Sequence, residues 1–245
     1  MRSRMVGLAA AALVLAMVGT SQAVLIDRGG GLIYDTVLNI TWLQDADLAA
    51  SETFGISVTN PFGAMNWATT EAWLAAMNAA HYLGYSDWRL PHTLPVNGSS
   101  YNYYWWVTDG STDQAYNISA PGSAYPGSTG SEMAYMFYNN LGNRGYFDVK
   151  GFFQPQPWCE NTGPFENLIN YIWWSGTPFG LYPDYQMWGF SFGNGGQSGV
   201  GMGEGYFAWP VFDGDVGGSV PLPGAVWLLG PSLIGLLGLK RKILG

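Results

Sequence analysis

The sequence contains very little cysteine and histidine. Its 245 residues include one cysteine, Cys159, and two histidines, His81 and His92. A single thiol cannot form an intramolecular disulfide, so the folded state has to be stabilised by its hydrophobic core. One cysteine and two histidines also provide no set of zinc ligands with familiar spacing. Neither histidine lies near Cys159 in sequence, and we interpret Cys159 as a packed or partly exposed thiol rather than a nucleophile.

Basic residues are also scarce. The chain has nine Lys and Arg against 17 Asp and Glu. Five of the nine lie close to the two termini, which leaves four in the body of the chain; the five are Arg2, Arg4, Lys240, Arg241 and Lys242. The body is therefore strongly acidic, which excludes nucleic acid and anionic lipid as favourable partners. Cations or neutral sugars suit such a surface better.

One enzyme motif occurs, but without its usual surroundings. Gly189-Phe-Ser-Phe-Gly193 matches the G-x-S-x-G sequence of serine hydrolases, in which a helix follows the serine directly and a histidine comes later in the chain. Here a glycine-rich stretch, 194–199, follows, and no histidine occurs after His92. No glycine loop of the kind that holds phosphates follows a predicted strand. We therefore predict that the protein is not an enzyme.

Both ends of the chain have the features of targeting segments. Arg2 and Arg4 precede a short apolar run, and Ser21-Gln-Ala23 is a suitable cleavage site, which predicts a signal peptide over 1–23. The apolar run is too short to favour an N-terminal membrane anchor. At the other end, Val220-Pro-Leu-Pro-Gly224 leads into an apolar run that a basic tail closes.

The C-terminal segment, 220–245, resembles the PEP-CTERM sorting signal that exosortases recognise. The residues that carry the resemblance are Pro221, Pro223, Lys240, Arg241 and Lys242, whereas Leu222 stands where the family has a glutamate. The resemblance implies processing by signal peptidase and exosortase, and delivery to the cell surface or extracellular matrix of a Gram-negative bacterium. Because exosortase systems accompany exopolysaccharide production, it also implies a matrix or polysaccharide partner. A simple transmembrane anchor with a cytoplasmic basic end is the alternative.

Between these segments, the stretch Tyr82-Leu-Gly-Tyr-Ser-Asp-Trp-Arg-Leu-Pro91 predicts the end of a helix followed by a strand. Gly84 suits the left-handed end of the helix. Side chains alternate in an extended segment, so Trp88 faces one way while Asp87 and Arg89 face the other. Arg89 can then pair with Asp87 or reach backbone carbonyls of a neighbouring loop. We interpret Asp87, Trp88 and Arg89 as a structural motif rather than a ligand site.

The body of the chain, 24–219, resembles the Lcl C-terminal domain family. Gly84-Tyr-Ser-Asp-Trp-Arg-Leu-Pro91 carries the resemblance, and three further pieces occur in the family's order: Gly31–Asp35 with Ile40–Leu43, Trp173–Thr177, and Met187–Phe192 followed by Asn194-Gly-Gly196. The resemblance implies a C-type lectin-like α+β fold with two helices, a small and mostly antiparallel sheet, and long irregular loops. It also implies that the terminal strands pair, near Ile40–Leu43 and Gly205–Val211.

Periodicity predicts the same class. Alternation predicts strands over 31–35, 40–43, 171–175, 187–192 and 205–211. A helix is predicted over 66–81, with Asn66 or Thr69 as its cap and with Trp73, Met77 and Ala80 on its buried stripe. A second is predicted over 131–141, with Ser131 as its N-cap and Gly142 at its end. In the loop region 91–130, residues 101–106 are predicted to form a short strand.

Two kinds of binding site are open in the loops. Exposed aromatic faces bind the apolar faces of sugar rings, and the candidates are Tyr103, Trp105, Trp106, Trp158 and Tyr182. Calcium would take carboxylate oxygens from Asp213 and Asp215, from Asp45 and Asp47, or from Asp109 and Asp113. The Glu-Pro-Asn or Gln-Pro-Asp triplet of calcium-dependent lectins is absent, and solvated turn aspartates are the alternative.

These observations favour a non-catalytic surface or matrix module that binds carbohydrate or exopolysaccharide, or acts in adhesion. A structural matrix component that associates only with its own kind is the first alternative. An enzyme of unrecognised mechanism is the second.

Overall fold

The computed structural model describes residues 24–155 and 160–216. The predicted signal peptide, the predicted sorting signal, Trp158 and Cys159 lie outside these residues. The described chain is α+β, with two short helices and two antiparallel sheets. Within it, no helix has both the length and the apolar character needed to cross a membrane.

In the described residues, the regular structure consists of seven strands, two α-helices and a few short helical turns. The strands are β1 (Leu25–Gly29), β2 (Leu32–Asp35), β3 (Ile40–Leu43), β4 (Ile172–Pro178), β5 (Gln186–Ser191), β6 (Gln197–Gly201) and β7 (Val211–Asp213). The helices are α1 (Trp67–Ala79) and α2 (Glu132–Tyr135), and short 3₁₀ turns occur at Leu48–Ala50 and Tyr82–Gly84.

The first sheet joins the two ends of the described chain. Its strand order is β1-β2-β3-β7, and all of its pairs are antiparallel. β3 pairs with β7 so that Trp42 lies opposite Val211. The predicted pairing of Ile40–Leu43 with the C-terminal strand region is therefore confirmed.

The sequence predicts a single sheet, whereas the described residues also form a second sheet, of strand order β4-β5-β6. Both of its pairs are antiparallel. Its third strand, β6, was not predicted, because Gln197-Ser-Gly-Val-Gly201 lacks an apolar alternation. The glycine has a packing role instead, since a Cβ at Gly199 would lie 2.6 Å from the ring of Phe179.

The two sheets are linked by residues 205–210, which are not the strand that alternation had predicted. Phe207 bridges to Trp173 in β4, whereas Val211 already belongs to the first sheet. Pro210, which has no N–H to donate, lies between Phe207, which bridges to β4, and Val211, which pairs with β3. Phe207 and Trp209 are buried, so this segment crosses the core between the sheets.

Helix α1 begins as predicted. The side chain of Asn66 accepts a hydrogen bond of 2.9 Å from the backbone N–H of Thr69, which makes Asn66 the N-cap. Trp73 and Met77 are buried as expected. Ala80, in contrast, is exposed. The third buried residue of α1 is Thr70, one turn before Trp73.

The second predicted helix forms as α2 followed by a π-helical turn over Met136–Asn140. Ser131 is its N-cap, and Gly142 follows it with a φ of +63°. Glu132 to Tyr138 are all buried, so this element is enclosed by the core rather than packed by one face.

The Asp87–Arg89 pair that the sequence suggested does not form. The Arg89 guanidinium donates to both carboxylate oxygens of Glu132 at 2.9 Å each and to Asp213 Oδ1 at 2.6 Å. Asp87 is exposed. Trp88 is buried, and Asn78 at the end of α1 bonds both the N–H and the carbonyl of Trp88. The motif therefore ties α1, α2 and β7 together.

Candidate functional site

Two adjacent tryptophans are exposed at the edge of the second sheet. The side chains of Trp105 and Trp106 are 52% and 78% exposed, and their rings meet edge to face with centroids 5.2 Å apart. They line a groove of about 320 Å³, which we call the aromatic groove. Its lining residues are Trp105, Trp106, Val107, Thr108, Ala115, Tyr116, Phe147, Ile172, Ser191, Asn194, Gly196, Gln197 and Ser198.

The loop that carries the tryptophans is anchored by the two tyrosines before them. The ring of Tyr103 stacks on the buried Trp188 at 5.8 Å with an angle of 11°, and Tyr101 lies 5.7 Å from the same indole. The Tyr101 hydroxyl donates to the Thr93 carbonyl at 2.7 Å. With its first half docked on the core, the loop presents Trp105 and Trp106 to solvent. These ring contacts hold residues 101–106 in an irregular conformation, and the predicted short strand does not form.

The buried carboxylate of Asp113 holds the same loop by its backbone. Asp113 Oδ1 accepts from the N–H of Val96 at 2.6 Å, and Oδ2 accepts from the N–H of Asn102 at 2.7 Å. Burial raises the pKa of Asp113, although these two backbone hydrogen bonds oppose the shift. Asp113 thus acts as a loop anchor, which leaves its two oxygens committed to backbone donors.

The floor of the groove is the outer part of the second sheet. Ile172, Ser191 and Ser198 come from β4, β5 and β6 respectively. Next to them, Gly189 lets Ile172 and Val200 close over the sheet, because a Cβ there would lie 3.1 Å from Ile172 and 2.8 Å from Val200.

The remaining wall consists of aromatic side chains from two further segments. Tyr116 follows a backbone bridge between Ala115 and Gln197, so it is fixed to the edge of β6. Phe147 packs edge to face on Tyr116 at 5.3 Å. Its neighbour Tyr146 donates its backbone N–H to the Asn194 carbonyl at 2.8 Å, which ties this wall to the turn after β5.

The groove is uncharged but not purely apolar. None of its lining residues is Asp, Glu, Lys, Arg or His. Within the described part of the chain, the hydroxyls of Ser191 and Ser198 and the side-chain nitrogen of Asn194 have no hydrogen-bond partner, while Asn194 Oδ1 accepts from Gly196. Hydrogen-bonding groups are therefore available to a ligand beside the indole rings.

The other predicted aromatic residues do not join this groove. Tyr103 is half-buried under the loop as an anchor, and Tyr182 is exposed on the turn between β4 and β5. Trp158 lies outside the described residues. Conversely, Tyr116, Phe147, Ser191 and Ser198 were missed, because they come from separate segments that only the folded chain brings together. Apart from Ser191, which lies in the G-x-S-x-G sequence, no local sequence pattern distinguishes them from other aromatic or hydroxyl residues.

Two of the predicted calcium ligands, Asp213 and Asp215, are paired with arginines. Asp213 accepts from Arg89, and Asp215 forms an ion pair with Arg28. Each of these two carboxylates is thus already paired with a guanidinium. Among the described residues, no three His, Cys, Asp or Glu side chains form a group that could hold a metal ion.

Asp47 has an unusual environment for a carboxyl group. It is 4% exposed, and its Oδ1 has no hydrogen-bond partner in the described structure. Burial, helped by the nearby charge of Asp45, raises the pKa of Asp47 to about 7. Gly63 packs directly against this oxygen, where a Cβ would overlap with it. The carboxyl therefore faces the backbone of the protein and not an open site.

Ser191 of the G-x-S-x-G sequence lies at the end of β5, and the chain continues through a turn into β6. It is therefore not the strand-to-helix turn of a nucleophile elbow. No family model, curated protein or solved structure matches the chain. The chemistry of the groove has to be inferred from its own residues.

Proposed function

We propose that the protein is an exported, non-catalytic surface or matrix module that binds an uncharged polysaccharide in the aromatic groove. The observation that carries this proposal is the pair of exposed indoles, Trp105 and Trp106, in a groove without a charged residue. Exposed apolar patches of this kind mark binding sites on soluble domains.

The chemistry of the groove matches that of a sugar ring. A pyranose presents an apolar face of C–H groups and a rim of hydroxyls. The indole faces suit the former, and the available groups of Ser191, Ser198 and Asn194 suit the latter. An acidic polysaccharide is disfavoured, because the groove offers no cation and the body of the chain carries a large excess of acidic residues.

A C-type lectin-like fold of the Lcl C-terminal type is part of the same proposal. Two features support it: the terminal strands pair in one sheet through β3 and β7, and long irregular loops surround the second sheet. Trp88 and Arg89 contact α1, α2 and β7, in line with the structural role that the sequence predicts for the Asp87-Trp-Arg89 motif. The groove provides binding without the calcium site that many lectins use.

Delivery to the cell surface or extracellular matrix of a Gram-negative bacterium rests on the two terminal segments. The basic and apolar residues of 1–23 favour signal peptidase, and those of 220–245 favour an exosortase. Both segments lie outside the described residues. A polysaccharide-binding module is useful at this destination, because it can attach to the matrix that surrounds the cell.

The test is affinity electrophoresis of the purified protein through gels that contain single polysaccharides. Neutral polymers such as amylose, galactomannan and β-glucan are compared with the anionic polymers alginate and hyaluronan. We expect at least one neutral polymer to retard the protein, and we expect Trp106→Ala to weaken this retardation by about 1 kcal/mol or more, roughly fivefold in affinity.

Tyr185→Ala is the matched control, because Tyr185 is a 74% exposed aromatic residue that does not line the groove. It should be retarded like the wild type. Absence of retardation by every neutral polymer, together with concentration-dependent assembly in sedimentation velocity, would favour the self-associating matrix component instead.

A further inference from the structure

The aromatic surface does not end with the groove. Tyr116, in the wall, lies 6.2 Å from Tyr146 with the rings 27° apart, and Tyr146 meets Phe153 edge to face at 4.8 Å. The rings of Trp106, Trp105, Tyr116, Tyr146 and Phe153 are called the aromatic row from here on. Its far end is open, since Phe153 is 56% exposed and lies outside the groove lining.

The far end of the row is held in place by a short hairpin. Phe147 and Phe153 form an antiparallel backbone bridge, and the N–H of Gln154 donates to the Tyr146 carbonyl at 2.9 Å. In the turn, Asp148 Oδ1 accepts from the N–H groups of Lys150 and Phe152, each at 2.9 Å. Phe153 is thus an exposed aromatic residue on an ordered backbone.

The hydrogen bonds of this hairpin do not involve the Phe153 side chain. They are made by the backbone and by the side chains of Asp148 and Gln154, whereas Phe153 leaves more than half of its surface in water. Three ring distances within the row, 5.2 Å for Trp105 and Trp106, 6.2 Å for Tyr116 and Tyr146, and 4.8 Å for Tyr146 and Phe153, are comparable to the length of one sugar unit in a polysaccharide chain. Hydrophobic rings at that spacing on one surface suit a linear ligand.

We propose that the aromatic row forms one elongated site for an internal stretch of several sugar units, with Phe153 as its outermost contact. This inference rests on the proposed function and specifies its ligand: a polymer segment instead of a mono- or disaccharide. A disaccharide reaches only the groove with Trp105 and Trp106. Longer chains also reach Phe153, and their affinity is higher for that reason.

The experiment is isothermal titration calorimetry of the full-length protein with neutral oligosaccharide ladders, from disaccharide to hexasaccharide, prepared from amylose, cellulose and mannan. For the ladder that binds, we expect Kd to fall as the chain lengthens. Phe153→Ala should raise the Kd of the hexasaccharide about fivefold and leave that of the disaccharide unchanged. Trp106→Ala should weaken both.

Phe62→Ala is the control, because Phe62 is also exposed, at 69%, but lines a separate groove with Tyr171 and Phe207; it should change neither Kd. Near-ultraviolet circular dichroism of each variant reports whether the fold is retained. Equal affinity for the two lengths, or a Phe153→Ala effect that is absent or the same at both lengths, would overturn the elongated site while leaving the groove intact. If no ladder binds at all, the proposed function itself is wrong.

Discussion

Arg89 connects parts of the fold that are distant in sequence. Its guanidinium binds Glu132 at the start of α2, Asp213 in β7 and the carbonyl of Leu90. Burial disfavours its charge, but the hydrogen bonds and charges of Glu132 and Asp213 outweigh this and raise the pKa of Arg89. A cation shared by two carboxylates from distant parts of the sequence fixes their relative position.

Arg89→Ala should therefore lower the free energy of unfolding by about 3 kcal/mol or more, because it leaves the mostly buried carboxylate of Glu132 without a counter-charge. Chemical denaturation measures this loss. Arg144→Ala is the control, since Arg144 is exposed, and should change stability by less than about 0.5 kcal/mol. An Arg89→Ala protein that melts like the wild type but no longer binds polysaccharide would place Arg89 in the binding site.

The buried carboxyl of Asp47 makes stability depend on pH. Its pKa is raised to about 7 by burial, so the folded protein binds this proton more tightly than the unfolded chain does. The stabilisation that the protonated Asp47 carboxyl provides is complete at low pH, declines as pH rises from about 4, and is lost above about 7. Asp47→Asn, which stays neutral, should remove on the order of 3 kcal/mol of this decline.

The measurement is the unfolding free energy of wild type and Asp47→Asn at several pH values between about 4 and 8. Burial also raises the pKa values of Asp35 and Asp113. Both proteins contain these two residues, so the difference between their unfolding free energies reports on Asp47 alone. Parallel curves for the two proteins would show that Asp47 ionises normally.

The loop 101–108 supplies the two exposed indoles of the groove. Its backbone depends on Asp113, which binds the N–H groups of Val96 and Asn102. Asp113→Ala strands both donors and should cost about 2 kcal/mol or more of stability. The affinity for a neutral polysaccharide should fall as well, although Asp113 does not touch the groove.

Hydrogen exchange tests this prediction locally, because the amides of Val96 and Asn102 should lose protection in Asp113→Ala. Asp109→Ala serves as the control, since Asp109 is exposed and its carboxylate accepts from the nearby N–H of Ser111. Unchanged protection of Val96 and Asn102 would mean that Asp113 does not hold the loop.

The elements that could be predicted are those whose signals are local. Asn66 and Ser131 cap the two helices because a cap needs only the residues within one turn. β2, β3, β4 and β5 follow from alternation and aromatic content. The rest depends on tertiary partners: β6 is a strand because Phe179 covers Gly199, and 101–106 is irregular because Tyr101 and Tyr103 dock on Trp188.

The site could be predicted only in part for the same reason. Trp105 and Trp106 stand out because two adjacent tryptophans in a loop rich in Gly and Ser need either a core pocket or a ligand. Their partners Tyr116 and Ser198 cannot be identified without the Ala115–Gln197 bridge that brings them together. Likewise, the partner of Arg89 is not its neighbour Asp87 but residues 43 and 124 positions away.

Charge is distributed unevenly along the chain, because the body is acidic and five of the nine Lys and Arg lie in the two terminal segments. If 220–245 is a sorting signal, the protein released from cells with the matching exosortase should lack the residues after about Pro223. Intact-mass measurement of the released protein determines its C-terminus. Retention of Lys240-Arg-Lys242 would contradict the prediction and favour a plain membrane anchor.

The most direct test of the proposed binding site is a heteronuclear NMR titration that observes the indole N–H signals of the twelve tryptophans. Each signal is assigned by a single Trp→Phe variant, and a neutral polysaccharide that retards the protein in gels is then added. We predict that the signals of Trp105 and Trp106 shift, while that of the buried Trp42 does not. Binding that leaves Trp105 and Trp106 unshifted would contradict the assignment of the aromatic groove as the polysaccharide site.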